Sequence, residues 1–243
     1  MYPVFKIEIF LIVKIMQTFM IHSLRRFLGL LLVILSAGFA LSGSAYAANV
    51  KDYWVYVAND NVAAVKELLT AGFDPNTRSP NQQTGLIQAT RDGAWQVFDA
   101  LLAAPKINVN AANQYSETPL MYVALIGDLP RAKKLVAMGA KVNKEGWTPL
   151  HYAAVKARSE VAKFLLESGA LPNELTPEGD TALILAVRAD SVETVQVLIN
   201  GGADPSLSNL KAQDAIDVAR SRGKEDLAKA LEKIVANRKT KQQ

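Results

Sequence analysis

The feature that most restricts what this chain can become is a self-similarity with a period near 33 residues. Leucines that close a helical pattern recur at Leu68, Leu101, Leu135, Leu165, Leu198 and Leu231, in steps of 33, 34, 30, 33 and 33. Ahead of each lies a helix-opening segment. These segments open at Lys51, Thr84, Thr118, Thr148, Thr181 and Asp214, four of them with an alanine five places on. A helix pair of this size cannot cover its own apolar faces, so repetition at a fixed period predicts units that stack on one another. Six units follow, near 50–76, 77–110, 111–143, 144–173, 174–206 and 207–236.

The local chemistry agrees with helix pairs. A threonine hydroxyl caps a helix start, and proline suits the first turn, where its missing N–H costs nothing. Thr118-Pro119 and Thr148-Pro149 use both devices. Leu150, Ala153 and Ala154 place an apolar stripe on the first helix of the fourth unit, and Val161, Phe164, Leu165 and Leu166 one on the second. Gly169 then permits a left-handed cap. The pattern resembles the ankyrin repeat. Its best unit is GWTPLHYAAVKARSEVAKFLLESGALPN over 146–173, with SETPLMYVA in the third unit and GDTALILAV in the fifth. Turn signatures recur over 72–76, 139–143, 169–173 and 202–205. The resemblance implies an all-α fold, an ankyrin-repeat solenoid of about six helix-turn-helix units with β-turn fingers, preceded by an N-terminal signal helix. The end units depart from the pattern as terminal caps should. The first opens with Lys51-Asp52-Tyr53-Trp54, and the last is rich in charge. Residues 237–243 read as a polar tail that frays.

Upstream of the repeats, Arg25 and Arg26 precede an apolar run over 27–41, followed by SGSAYA with small residues at Ala45 and Ala47. Basic, apolar and small-residue regions in that order make a signal peptide, 1–47, cleaved after Ala47. The run is shorter than the roughly 20 residues a spanning helix needs. A second apolar stretch, 4–21, is broken by Lys6, Glu8 and Lys14 and keeps open the alternative of an uncleaved inner-membrane anchor. A start at Met16 or Met20 would give a leader of ordinary length. The segments GFDPNTR and KEGWTPLHYAA are similar to exported ankyrin proteins of Gram-negative proteobacteria, which implies a periplasmic location.

Charge and composition narrow the function. The formal charge is +4, but Lys6, Lys14, Arg25, Arg26 and Glu8 all lie in the leader, and without them it is +1. That is no basis for nucleic-acid binding. There is no cysteine, so disulfides and thiolate metal sites are excluded. His151 is the only histidine beyond the leader, which rules out a histidine-based triad or a multi-histidine metal site. The resemblance implies a structural, hydrogen-bonding role for it. No phosphate loop, dinucleotide fingerprint or nucleophile elbow occurs. Glu174, Glu178 and Asp180 lie on a predicted turn and read as solvated. No enzyme activity and no cofactor is expected.

The resemblance instead implies binding at the turn tips and along the first helices, which line a concave groove. The positions before each helix opening are Gln83, Glu117, Trp147 and Asp180. The exposed helix pairs are Arg91-Asp92, Leu125-Ile126, Val155-Lys156 and Arg188-Ala189. Trp147, Leu125, Ile126 and Val155 would form an apolar centre, with a polar and charged rim supplied by the rest. Two plainer readings stand beside this: Trp147 folds back on a neighbouring turn, and Leu125 and Ile126 belong to the interior. The link VNKEGW, 142–147, lacks about three residues of the usual turn. It leaves either a notch beside Trp147 or a harmless loop variation. Trp54 and Trp95 read as packing residues. The expected partner is another exported protein bound by a monomer. A membrane-tethered accessory protein and an enzyme with an unrecognised site are the alternatives.

Overall fold

The structure, a computed structural model, describes residues 50–241. The expected signal peptide and the last two residues of the tail lie outside them. Contacts divide the chain between Tyr53 and Trp54, and the second unit holds every helix pair from Val62 onward. The helices are α1 (50–58), α2 (Val62–Thr70), α3 (Gly85–Asp92), α4 (Trp95–Leu102), α5 (Pro119–Ile126), α6 (Leu129–Ala137), α7 (Pro149–Val155), α8 (Ser159–Glu167), α9 (Ala182–Arg188), α10 (Val192–Asn200), α11 (Ala215–Ser221) and α12 (Glu225–Lys241). Among the described residues there is no strand, only an isolated antiparallel bridge between Arg78 and Thr84.

Each inner helix begins where a capping side chain stands. Thr84, Thr118, Thr148 and Thr181 hold extended backbone and accept an N–H from the third residue on, as Asp214 does for α11. The inner helices then pack in sequence, α3 on α5, α5 on α7, α7 on α9 and α9 on α11. Each also leans on the outer helix that follows it, from α3 on α4 to α11 on α12. The fully buried side chains lie along these contacts, among them Leu86, Phe98, Leu120, Leu150, Leu165 and Leu183. Between α4 and α6 long polar side chains make the link. The Arg131 guanidinium lies 4.0 Å from the Trp95 ring centre, and the Lys134 ammonium is 2.8 Å from the Asp99 carboxylate.

Two details differ from the sequence reading. In α8 the fully buried residues are Val161, Ala162 and Leu165, while Phe164 and Leu166 are half-buried. The tail also does not fray at Asn237, since α12 runs on to Lys241. Glu225 and Asp226 in its first turn suit the helix dipole, and the alanines, lysines and arginine beyond favour helix.

A ladder of asparagines joins the turns. Asn76, Asn110, Asn143 and Asn173 each donate from Nδ2 to a carbonyl in the next unit's turn, Lys106, Gly139, Gly169 and Gly202 in order. Each also accepts through Oδ1 from the N–H two residues past that carbonyl. Three of those carbonyls belong to glycines with positive φ. The fourth belongs to Lys106, which takes the same left-handed backbone at φ +64°.

Candidate partner-binding site at the fingers

Beyond each asparagine the chain folds into a finger. At four fingers one anchor, Ser79, Asn113, Thr176 or Asn209, accepts through its side-chain oxygen from the N–H four residues on, at 3.1 Å. The anchor's own N–H donates to the carbonyl of that same residue. The finger between α6 and α7 lacks this pair, because the three missing residues are the ones that would carry the anchor. Lys144 substitutes, its ammonium donating to the carbonyls of Glu145 at 3.0 Å and Trp147 at 3.3 Å.

The residues closing the fingers, expected on a wet rim, differ widely in exposure. Gln83 and Asp180 are each only 7% exposed. Asp180 is enclosed because Arg188 pairs with one carboxylate oxygen and the Asn209 amide of the next finger donates to the other at 2.7 Å. Arg188 is therefore half-buried and engaged within the chain, and Asp180 is no solvated turn acid. Trp147 is half-buried and meets the rings of His151 and Tyr152 edge-on, at 5.8 and 5.6 Å between centres. It packs against its own inner helix. Leu125 and Val155 are half-buried, and Ile126 (39% exposed) and Lys156 are open. These four stand at the C-terminal ends of α5 and α7, whereas Trp147 precedes α7, roughly 10 Å away by helix rise. The structure thus does not gather Trp147 and the three aliphatic residues at one point.

It gathers another set. A cleft of about 670 Å³ lies where the first two fingers face the inner helices. Gln83 of one finger, Tyr115 and Glu117 of the next, Gln88 and Arg91 of α3 and Tyr122 of α5 line it. Trp54 of α1 lines it too. Glu117 is the hub. It accepts from Tyr122 Oη and Tyr152 Oη, both at 2.5 Å, and from Asn113 Nδ2 at 2.7 Å. Burial alone would raise its pKa, but the three donors and the nearby Arg91 charge outweigh it and hold the carboxyl below its ordinary value. Burial and the same carboxylate push Tyr122 up to about 12 and Tyr152 further up, so both stay protonated donors. Arg91 and Asp92 are exposed as expected. The Arg91 guanidinium sits 5.9 Å from the Tyr122 ring centre, and Asp92 accepts from Gln88 at 2.5 Å.

His151 is 1% exposed. The Thr148 N–H donates to Nδ1 at 3.1 Å, which leaves Nε2–H to donate to the Glu174 carbonyl of the following finger at 3.0 Å. Its role is to tie two units together. Among the described residues no three histidines or carboxylates gather as a metal site would require, and no helix is long and apolar enough to cross a membrane.

The family profile described as ankyrin repeats in three copies matches residues 96–176 and 124–209. A solved ankyrin repeat domain from Acinetobacter baumannii AYE superposes with a TM-score of 0.67 at 26% identity, over 75% of this chain and 97% of that one. The described residues have the fold of an ankyrin-repeat solenoid. Ankyrin repeat and SAM domain-containing protein 6 of Rattus norvegicus is 30% identical over 130 residues, 51% of this chain and 15% of that protein. Ankyrin repeat and SOCS box protein 11 of Pongo abelii is 33% identical over 144 residues, 58% and 42% respectively. The match therefore spans less than half the length of these relatives. Ankyrin repeats generally mediate contacts between proteins, and it is the repeats that are shared.

The cleft was not foreseen, though its members Gln83, Arg91 and Glu117 were singled out. Sequence reasoning misses Gln88, Tyr115 and Tyr122 and reads Trp54 only as packing. Tyr115 carries the clearest signal in the sequence, an aromatic residue in the link just before the helix opening at Thr118.

Proposed function

We propose that this ankyrin solenoid is a non-catalytic scaffold that binds another exported protein in the periplasm, with the first two fingers as the main contact. The observation that carries the reading is the cleft between those fingers. It combines aromatic side chains, amides and an arginine on a rigid frame, and Tyr115 stands 73% exposed at its edge. Aromatic residues and arginine dominate binding energy at protein interfaces. Export is supported by the three-part leader, and an inner-membrane tether by an uncleaved leader is the second reading, favoured by the apolar stretch 4–21.

A photo-crosslinking residue placed at Tyr115 should capture a defined partner in cells, while the same residue at the exposed outer position Lys163 should not. Equal labelling at both, or labelling at Lys163 alone, refutes the finger-side reading. Fractionation of the same cells, with the mass of the mature N-terminus, separates a free periplasmic protein from a tethered one.

A further inference from the structure

We infer that the cleft between the first two fingers recognises a carboxylate carried on a peptide, using the Arg91 guanidinium and the Gln83 side-chain amide as donors. This deepens the scaffold reading and rests on it.

The one acid lining the cleft, Glu117, already accepts from Tyr122, Tyr152 and Asn113, so it has little capacity left for a ligand's N–H or O–H groups. The donors are in surplus. Gln83 is 93% buried, and its Nε2, with two N–H groups, has no hydrogen-bond partner. Leaving such a group unsatisfied is costly, and native proteins rarely do so without a use for it. The terminal amide torsion is broad, so rotation about it turns the N–H groups toward an occupant of the cleft. Arg91 is exposed on the same cleft and forms no salt bridge among the described residues. Its guanidinium lies 5.9 Å from the Tyr122 ring centre, and the Glu117 carboxylate near enough to feel its charge is held by three other donors. A cleft whose one carboxylate is already engaged, and whose arginine and buried amide donor are not, complements an acceptor-only anionic group, and an ionised carboxylate is that group. A neutral sugar fits less well, since it would leave the Arg91 charge without a counter-charge. The volume, about 670 Å³, is in the range of ligand sites and admits a short peptide stretch. Tyr115 and Trp54 supply apolar surface for its side chains.

The carboxylate could be a chain terminus or an Asp or Glu side chain, and the test separates them. Three pools of fluorescent N-blocked pentapeptides, otherwise free of acids, are titrated against the full chain by anisotropy. One has a free C-terminus. The second has an amidated C-terminus and a central Glu, and the third an amidated C-terminus and a central Gln. The inference expects the first or second pool to bind at least about tenfold more tightly than the third, the tighter one naming the source. Gln83→Leu and Arg91→Met should each weaken that binding by roughly tenfold or more with the helical circular dichroism unchanged. The Tm of Gln83→Leu should not fall, because a buried donor without a partner has been removed. Binding of all pools alike, binding of none, preference for a neutral oligosaccharide such as maltohexaose, or unchanged affinity in Gln83→Leu would each overturn it. Crosslinking at Tyr115 that still captures a partner while no pool binds would reject the carboxylate and leave the scaffold reading intact.

Discussion

His151 lies with both ring nitrogens engaged, and burial pushes its pKa down to about 4 from 6.5, against the pull of the Glu174 and Asp180 contacts. The native state therefore holds it neutral. Above pH 6.5 neither state is protonated there and the full stability is present. As pH falls below 6.5 the unfolded chain binds the proton first, so stability drains away until about pH 4, by about 3 kcal/mol. Replacing it by Gln should lower stability at pH 7 and flatten the decline between pH 7 and 5. Urea midpoints at the two pH values test this, and an equally steep decline in the variant would contradict it. Residues of this kind were legible in advance. The threonines and Asp214 at helix starts needed only local chemistry to be placed, and they cap as expected. The burial of Asp180 was not legible, because it depends on Asn209, a residue 29 positions away on another finger. The empty hydrogen-bonding capacity of Gln83 was hidden for the same reason: burial at a finger is decided by what lies beside it.

Among the elements, the asparagine ladder offers an internal comparison. Asn110 donates to Gly139 at 2.9 Å and accepts from Lys141 at 2.8 Å. Asn173 makes the equivalent pair, but its donation to Gly202 is stretched to 3.4 Å. Changing Asn110 to Ala should cost about 1–2 kcal/mol, and changing Asn173 to Ala less, because one of its two bonds is already weak. Chemical denaturation of the two variants orders them, and the reverse order would show that the ladder does not control stability. Three members of the ladder fall within turn signatures visible in the sequence. Asn110 escaped notice because its own turn has Lys106 where the others have glycine. The left-handed backbone was kept, at φ +64°, without the residue that announces it.

At the scale of the whole molecule, the described helix pairs make their main contacts with adjacent pairs, so damage should spread differently from the middle and from the end. Leu165 in α8 and Leu231 in α12 are both essentially unexposed. Changing Leu165 to Ala should cost about 3 kcal/mol and lower amide protection throughout α5 to α10. Changing Leu231 to Ala should release α11 and α12 while the central helices stay protected. Hydrogen exchange read by mass spectrometry distinguishes the two patterns, and identical global losses would argue against nearest-neighbour coupling. The same linear arrangement explains the short finger before Trp147. Its missing residues lie on the far side of Asn143, which still bonds to Gly169 and Leu171, so the rungs on either side keep their spacing. Finger length is thus independent of the stacking pitch: evolution, or a designer, can lengthen or clip a fingertip as one changes the cut of a key, without refitting the shank.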